Sequence, residues 1–467
     1  MRFLTALLPA ALLLLPASFA QNPPAPRASS TSIAMSDADQ AAMAAQVRAE
    51  ALYAWNGYKQ YAWGHDELKP LSKQPFDWYG PGHSLLMTPV DALDTLVLMG
   101  LNQQADEARK LIDTQLNFNQ DIYVKDFEIT IRLMGGLLSG YQLTGDKRLL
   151  ELADDLGRRM LPIFDSPTGM PYEYVNLRTG AVRGTRSNPA EIGSLFIEYG
   201  MLARLTGRQE YSSKAKRAVV ELYKRSSRIG LVGSGIDVET GAWTDSTAGI
   251  MGGIDSYYEY LLKASILFGD SDCAQMWRKS EIAIDQYLSD PMPGSLWYGQ
   301  ADMNTGKRTH TYYGALDAFF PAVLALSGDL ERGERLQDSS YRMWTLAGVE
   351  PDRLDYSTMK IVGPAYPLRP EIVESTYYLY HYTHDPKYLA MGKTYFDALK
   401  KYCRTDDGYA SLADVRTKQQ SDSMPSYFFA ETLKYLYLLY APDSTLDFDA
   451  VIFNTEAHPM KRNLGLK

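Results

Sequence analysis

Phe127-Glu-Ile-Thr-Ile-Arg-Leu-Met134, then a Gly145-Asp146 turn, then Lys147-Arg-Leu-Leu-Glu-Leu-Ala-Asp-Asp-Leu-Gly-Arg-Arg-Met160 is the unit from which the architecture can be read. The first segment is apolar on nearly every face, so a helix built from it must be covered all round. The second has a charged face suited to water. One helix belongs inside and its successor outside. The same order, an acid, an apolar helix and a turn with Gly or Asp, recurs from Asp91 to Gly100, Glu191 to Gly207, Asp255 to Asp270, Asp317 to Asp329, Glu371 to Asp385 and Glu431 to Ala441. From Glu128 onward the acids stand about 60 residues apart, the length of two helices and their loops. Seven such hairpins predict an all-α fold, an (α/α)7 barrel in which the acids at the inner helix starts converge at one mouth. Tyr-, Thr- and Gly-rich stretches such as Pro171-Tyr-Glu-Tyr-Val175 and Ser295-Leu-Trp-Tyr-Gly299 read as small β-hairpins at a rim.

A chain of 467 residues with 45% hydrophobic and 22% charged content buries a large core, which excludes a disordered or fibrous protein. With 47 Lys and Arg against 56 Asp and Glu, the net charge of −9 offers nothing to a phosphate backbone or an anionic lipid surface. Nucleic acid is excluded as a partner on this ground. Two cysteines, Cys273 and Cys403, permit one bridge at most.

The N-terminus has the form of an export signal. Met1-Arg2 precedes an apolar run to about Pro16, and Ala17-Ser-Phe-Ala20 places small residues where signal peptidase cuts. The run is shorter than the roughly 20 residues that cross a bilayer, so no membrane insertion is expected. Residues 21–38 read as a flexible leader, and residues 39–467 as a single catalytic domain. The sequence contains no Asn-x-Ser/Thr sequon, which favours a periplasmic or secreted bacterial protein over one from a glycosylating pathway.

Acids in a first helical turn commonly serve the helix dipole. Here several share an inner helix with other charges. Glu128 and Arg132 stand four apart on a segment with almost no polar face. Glu371 and Glu374, behind Arg369-Pro370, gather two carboxyls and a guanidinium at one helix start, a cluster that perturbs proton affinities; Pro370 is expected at the first helical position. Carboxyls at a barrel mouth, in a chain with 33 tyrosines and 7 tryptophans, point to carbohydrate chemistry: aromatic faces stack on sugars, and glycoside hydrolysis needs an acid and a base. No phosphate loop, His-Glu-x-x-His motif or serine elbow competes. His381 and His384, late in an apolar helix, read as structural.

The stretches Ala54–Ser72, Val90-Asp-Ala-Leu-Asp-Thr95, Phe127–Arg132, Asp255–Lys263, Leu368-Arg-Pro-Glu-Ile-Val-Glu-Ser375, Ala430–Tyr437 and Phe453-Asn-Thr-Glu-Ala-His-Pro459 together resemble class I α-mannosidases, glycoside hydrolase family 47. The resemblance covers about residues 50 to 460. It implies an inverting, exo-acting α-1,2-mannosidase that binds Ca2+ and takes a mannose-containing oligosaccharide or N-glycan, with the chain expected to be a monomer. The family's general acid falls on Glu128, its general base on Glu371 and a further essential carboxylate on Asp255. Thr455 matches the direct calcium ligand, and Glu374, Glu431 and Glu456 match residues that hold the ion's waters. Arg132, Glu191, Arg369, Glu374, Tyr427 and Glu431 match positions around the sugar. Tyr427 stands where many members have Phe. Gly253 stands where endoplasmic-reticulum members place an Arg that selects the glycan branch. Tyr313-Gly-Ala-Leu-Asp-Ala-Phe-Phe-Pro321 is similar to the degradation-enhancing branch, where Asp317 would substitute for a lost acid. Two alternatives stay open: a mannose-glycan-binding protein of that branch with little hydrolysis, and an (α/α) toroid acting on a different polymer without a calcium site.

Overall fold

The computed structural model describes residues 35–464, so the expected signal and nearly all of the expected leader lie outside the described residues. Among the described residues, seven inner and seven outer helical staves form a closed ring. The outer ones are α1 (Asp37–Tyr61), α3 (Asn102–Gln115), α6 (Lys147–Met160), α9 (Gln209–Tyr223), α11 (Ser271–Tyr287), α13 (Leu330–Ala347) and α15 (Pro386–Tyr402). The inner ones are α2 (Met87–Leu98), α4 and α5 (Asp126–Ile129, Gly135–Thr144), α7 and α8 (Pro189–Gly193, Phe196–Thr206), α10 (Asp255–Phe268), α12 (Phe320–Ser327), α14 (Glu371–Thr383) and α16 (Lys434–Tyr440). Each inner helix packs against its neighbours and an outer partner. The last inner helix, α16, pairs with α1 from the start of the chain, and that pairing closes the ring. The (α/α)7 barrel expected from the repeat is thus the observed fold.

Burial follows the sequence pattern. In α10 every residue from Ser256 to Ala264 is buried, whereas α9 buries Tyr211, Ala215, Ala218, Val219 and Leu222, one stripe at helical spacing. The Gly-Asp turns have a mechanical cause. Gly145, Gly269 and Gly328 end inner helices in the left-handed region (φ 75°, 66° and 95°), and the next residue, Asp146, Asp270 or Asp329, accepts a backbone N–H at the start of the outer helix. His384 (φ 51°) and Asp385 do the same between α14 and α15. Pro370 sits one residue earlier than expected, in the cap position before Glu371 rather than at the first helical position.

Short antiparallel sheets of two or three strands join the staves. They include Tyr123–Lys125 with Tyr174–Asn176 and Val182–Arg183, and the hairpin Ser289–Met292 with Ser295–Tyr298, both in regions expected to form rim hairpins. The hairpin Val451–Phe453 with Pro459–Lys461 behaves differently, because its strands contact α10 and α5 and its loop, residues 454–458, enters the barrel. Gly135 permits the approach: a Cβ there would stand 2.7 Å from Asn454 Nδ2 and 2.9 Å from His458 Cδ2.

The loop is anchored by buried charge. His458 Nδ1 lies 2.7 Å from Asp94 Oδ2 and its Nε2 3.3 Å from Asp91 Oδ1, while Lys434 Nζ lies 2.8 Å from Asp94 Oδ1 and donates to Ala457 O (2.6 Å). Burial alone would lower the His458 pKa, but Asp94 and Asp91 outweigh it and lift it to about 9. Asp94 goes the other way: burial would raise it, and Lys434 with His458 brings it to about 2. Because the folded imidazole binds its proton more tightly than a free one, its contribution to stability is complete below the ordinary pKa of 6.5 and is lost as pH rises through about 9. Denaturant unfolding should therefore show stability falling between those pH values. His458→Gln should abolish that slope and cost about 3–5 kcal/mol near neutrality, the usual penalty for breaking a buried ion pair.

Candidate active site

The starts of the inner helices surround a cavity of about 280 Å3 whose lining includes Glu128, Arg132, Glu191, Asp255, Arg369, Glu371, Glu374, Tyr427, Glu431, Thr455 and Glu456. Every site residue expected from the sequence is in that set. Two of the seven repeated acids do not line it. Asp91 is held behind the cavity by His458 and the Ser426 hydroxyl, and Asp317 accepts the Gly314 N–H (3.1 Å) and is pushed up to about 8 by burial. An acid at a helix start reaches the cavity only if that helix points its first turn inward.

The inner helices are irregular where they meet the cavity. A π-helical stretch, Thr130–Met134, turns Arg132 beneath Glu128, and a second, Phe428–Leu433, carries Glu431. The break after Gly193 follows Glu191, and a 3-10 turn, Leu316–Phe319, contributes Leu316 and Phe319 to the wall. Such bulges are concentrated at functional sites in helical proteins.

Arg132 organises the acidic side. Its Nε donates to Glu128 Oε2 (3.0 Å), its Nη2 lies 2.9 Å from the same oxygen, and its Nη1 reaches Glu456 Oε1 and stands 3.6 Å from Asp91 Oδ2. The guanidinium is 5.5 Å from the Trp78 ring centre and 5.4 Å from that of Tyr427. The Tyr427 hydroxyl donates to Pro367 O (2.6 Å), so the ring faces the site while the oxygen is occupied elsewhere. Lys125 Nζ holds Glu191 Oε1 at 2.6 Å.

The remaining carboxyls are crowded and dry. Burial, reinforced by Glu259 and Glu371, raises Asp255 to about 7; burial also raises Glu371 to about 7 against the pull of Arg369. Glu374 and Glu456 are pushed to about 8 by burial, with Lys263 and Arg132 opposing, and Glu431 is driven well above the ordinary range by burial and by Glu456, Glu371 and Glu374. Eight carboxyl groups line the cavity against two guanidiniums, Arg132 and Arg369. Lys125 pairs with Glu191 and Lys263 with Glu259, which leaves six carboxyls against the two guanidiniums, an excess that a bound cation would offset. Among the described residues no three His, Cys, Asp or Glu side chains converge to bind one directly. A cation there would meet the oxygens of Thr455, Glu374, Glu431 and Glu456, which line the same cavity. Calcium's liking for many oxygen donors suits such a set.

Several contributors escape a reading of the sequence. Glu259 lines the cavity and pairs with buried Lys263, whose Nζ is 3.5 Å from Glu374 Oε1. Residues 255, 259 and 263 lie at steps of four on an otherwise apolar helix, a signal that was available. Glu350 is fully buried with neither oxygen hydrogen-bonded; burial and the nearby Glu371 hold it well above the ordinary range. It follows outer helix α13, where no pattern marks it. Cys273 and Cys403 are both buried free thiols. His381 stacks on Phe448 (4.1 Å between ring centres) at the far end of α14, and His384 ends that helix, the structural parts expected of them.

A toroid of helical hairpins with a carboxyl-lined mouth belongs to the class of (α/α)-barrel proteins that act on carbohydrates. Within that class the chain belongs to glycosyl hydrolase family 47, whose family model matches residues 50–462, and it is a glycoside hydrolase. It is 37% identical to alpha-mannosidase I MNS5 of Arabidopsis thaliana, over 90% of this chain and 77% of the relative. It is 34% identical to ER degradation-enhancing alpha-mannosidase-like protein 2 of Mus musculus, over 89% and 77%. The fold is similar to that of an alpha-1,2-mannosidase from Trichoderma reesei, with a TM-score of 0.82, 27% identity and coverage of 91% of this chain and 99% of that one.

Because the Tyr427 oxygen points to Pro367 and its ring to Arg132, Tyr427→Phe should leave kcat/KM close to wild type. Urea unfolding should show a loss of about 1 kcal/mol, the value of one hydrogen bond.

Proposed function

We propose that the protein is an exported, monomeric, calcium-dependent, inverting exo-α-1,2-mannosidase that removes terminal mannose from mannose-containing oligosaccharides. The observation that carries this reading is the meeting of Glu128, Asp255 and Glu371 on one cavity floored by Thr455. The loop of residues 454–458, buried except at Thr455, enters the barrel and lines the cavity with Thr455 and Glu456, which suits a site that admits a chain terminus rather than the middle of a polymer. The export motif ending at Ala20 supports action outside the cytoplasm.

The roles are those the family resemblance implies, and the contacts are consistent with them. Both Arg132 contacts to Glu128 use Oε2, leaving Oε1 as the oxygen that carries a proton and gives it to the departing glycosidic oxygen. Glu371 takes a proton from the water that attacks the anomeric carbon. A base raised to about 7 suits that task at neutral pH. Asp255 presents its carboxyl to the positive charge that develops on the sugar ring. Tyr427 and Arg369 hold the ring, and Arg132, besides orienting Glu128, fixes Glu456. Thr455 would hold calcium, with Glu374, Glu431 and Glu456 ordering its waters; the bound ion supplies an oxygen-binding centre for the sugar's vicinal hydroxyls. The three carboxyls are all present, which favours hydrolysis over glycan binding alone.

Assays on α-1,2-, α-1,3- and α-1,6-mannobiose should show cleavage of the first. A chelator should abolish it, calcium should restore it and zinc should not. Full activity in metal-free protein would refute the calcium assignment.

Glu128→Gln should bind substrate and lose about 10²–10⁴-fold in kcat. Proton NMR of the first-formed product should show β-mannose before mutarotation. Initial release of α-mannose would make Glu371 a nucleophile and require carboxyls only about 5–5.5 Å apart.

A further inference from the structure

The two peptide planes that flank Thr455 are both pinned, by residues to which the sequence assigned no role. The Thr455 N–H donates to the Tyr260 hydroxyl oxygen (3.2 Å), and that hydroxyl donates to Glu198 Oε1 (2.7 Å). The same Glu198 oxygen accepts from Asn454 Nδ2 (2.7 Å), whose amide also donates to Ile131 O (3.0 Å). On the other side of the loop, Asn454 Oδ1 accepts the N–H of Glu456 (3.0 Å) and of His458 (2.7 Å). The Glu456 N–H shares its planar peptide with the Thr455 carbonyl, so fixing the N–H fixes the carbonyl's direction. Tyr260 sets one plane and Asn454 the other.

Glu198, Tyr260 and Asn454 are at most 2% exposed, and Glu198 Oε2 has no hydrogen-bond partner. They come from α8, α10 and the hairpin loop, so the contact ties a loop residue to two separate staves of the barrel. A carboxylate and a phenol placed this deep for packing alone would be a costly choice. Their geometry has a local product instead: a Thr whose N–H is used up and whose two oxygens are left for a ligand.

We propose that Tyr260, seated on Glu198, is a positioning residue that sets the affinity of the Thr455 cation site by holding the Thr455 backbone in its binding conformation. This rests on the reading of Thr455 as the calcium residue. Outer contacts that orient a metal's direct ligands are typically worth 10–100-fold in affinity.

The test is calorimetric titration of purified, metal-stripped full chain with CaCl2. Tyr260→Phe keeps the ring in its buried place and removes the oxygen. It should weaken calcium binding tenfold or more, while kcat at saturating calcium stays within about twofold of wild type and the metal-free melting temperature changes little. Glu198→Gln keeps an acceptor under the Tyr260 hydroxyl and should hold calcium affinity within about threefold of wild type. Glu198→Leu, which does not touch Thr455, should reproduce the weakening and serves if Tyr260→Phe yields little folded protein. Wild-type calcium affinity in both Tyr260→Phe and Glu198→Leu, or a lowered metal-free melting temperature with unchanged affinity, overturns the proposal and leaves the calcium assignment standing. A wild-type chain that binds no calcium overturns both.

Discussion

A ring of seven helical pairs leaves a hole on its axis, and how that hole is filled decides what the barrel can do. Apolar side chains from the inner helices fill part of it. The C-terminal hairpin fills another part, and its loop brings polar backbone and a charged histidine into a dry interior. That is tolerable only with full compensation. Asp91 and Asp94 on α2, with Lys434 on α16, supply it by pairing with His458, and Arg132 reaches Asp91 from the cavity side (3.6 Å). Since α2 and α16 are first and last among the inner helices, the set also lies at the seam where the chain's two ends meet. The closure of the fold and the seating of the loop are one interaction.

Above the seam carboxyls are in excess. The cavity holds eight carboxyls and two guanidiniums, and burial drives most of the carboxyls toward the neutral form. The imbalance sits directly over the paired network, on a loop the network holds in place. Burial cost is thus concentrated where a cation and a sugar would offset it.

Much of this was legible in the sequence because it rests on local rules. Apolar and charged helices alternate, left-handed Gly and capping Asp mark the turns, and acids at helix starts converge once the staves are placed in a ring. Glu128 with Arg132, and Glu371 with Glu374, could be paired from spacing alone. Thr455 and Tyr427 could not. They were reachable only through resemblance, because a threonine after an asparagine in a terminal hairpin has no periodicity to betray it. The π-helical stretches at Thr130–Met134 and Phe428–Leu433 were also hidden, since a one-residue bulge barely disturbs a pattern that is apolar on every side. The pairing of α1 with α16 was hidden for another reason: partners at opposite ends of a chain share no turn.

These hidden features are of one kind. Each departs from the regular repeat, and each is supported by contacts between residues hundreds of positions apart, such as Asn454 with Glu198 or Ser426 with Asp91. A repeat can be encoded locally because each unit needs only its neighbours. A site cannot, because it must draw different side chains from many units to one point, and a perfectly regular barrel would present the same face seven times. The bulge under Arg132 breaks that equivalence at one stave, and the 3-10 turn before α12 breaks it at another, where Asp317 is turned away from the cavity and Phe319 toward it. Local irregularity in the inner helices is therefore what converts a symmetric ring into an asymmetric cavity, with Glu128 and Arg132 on one stave and Glu371 and Glu374 on another.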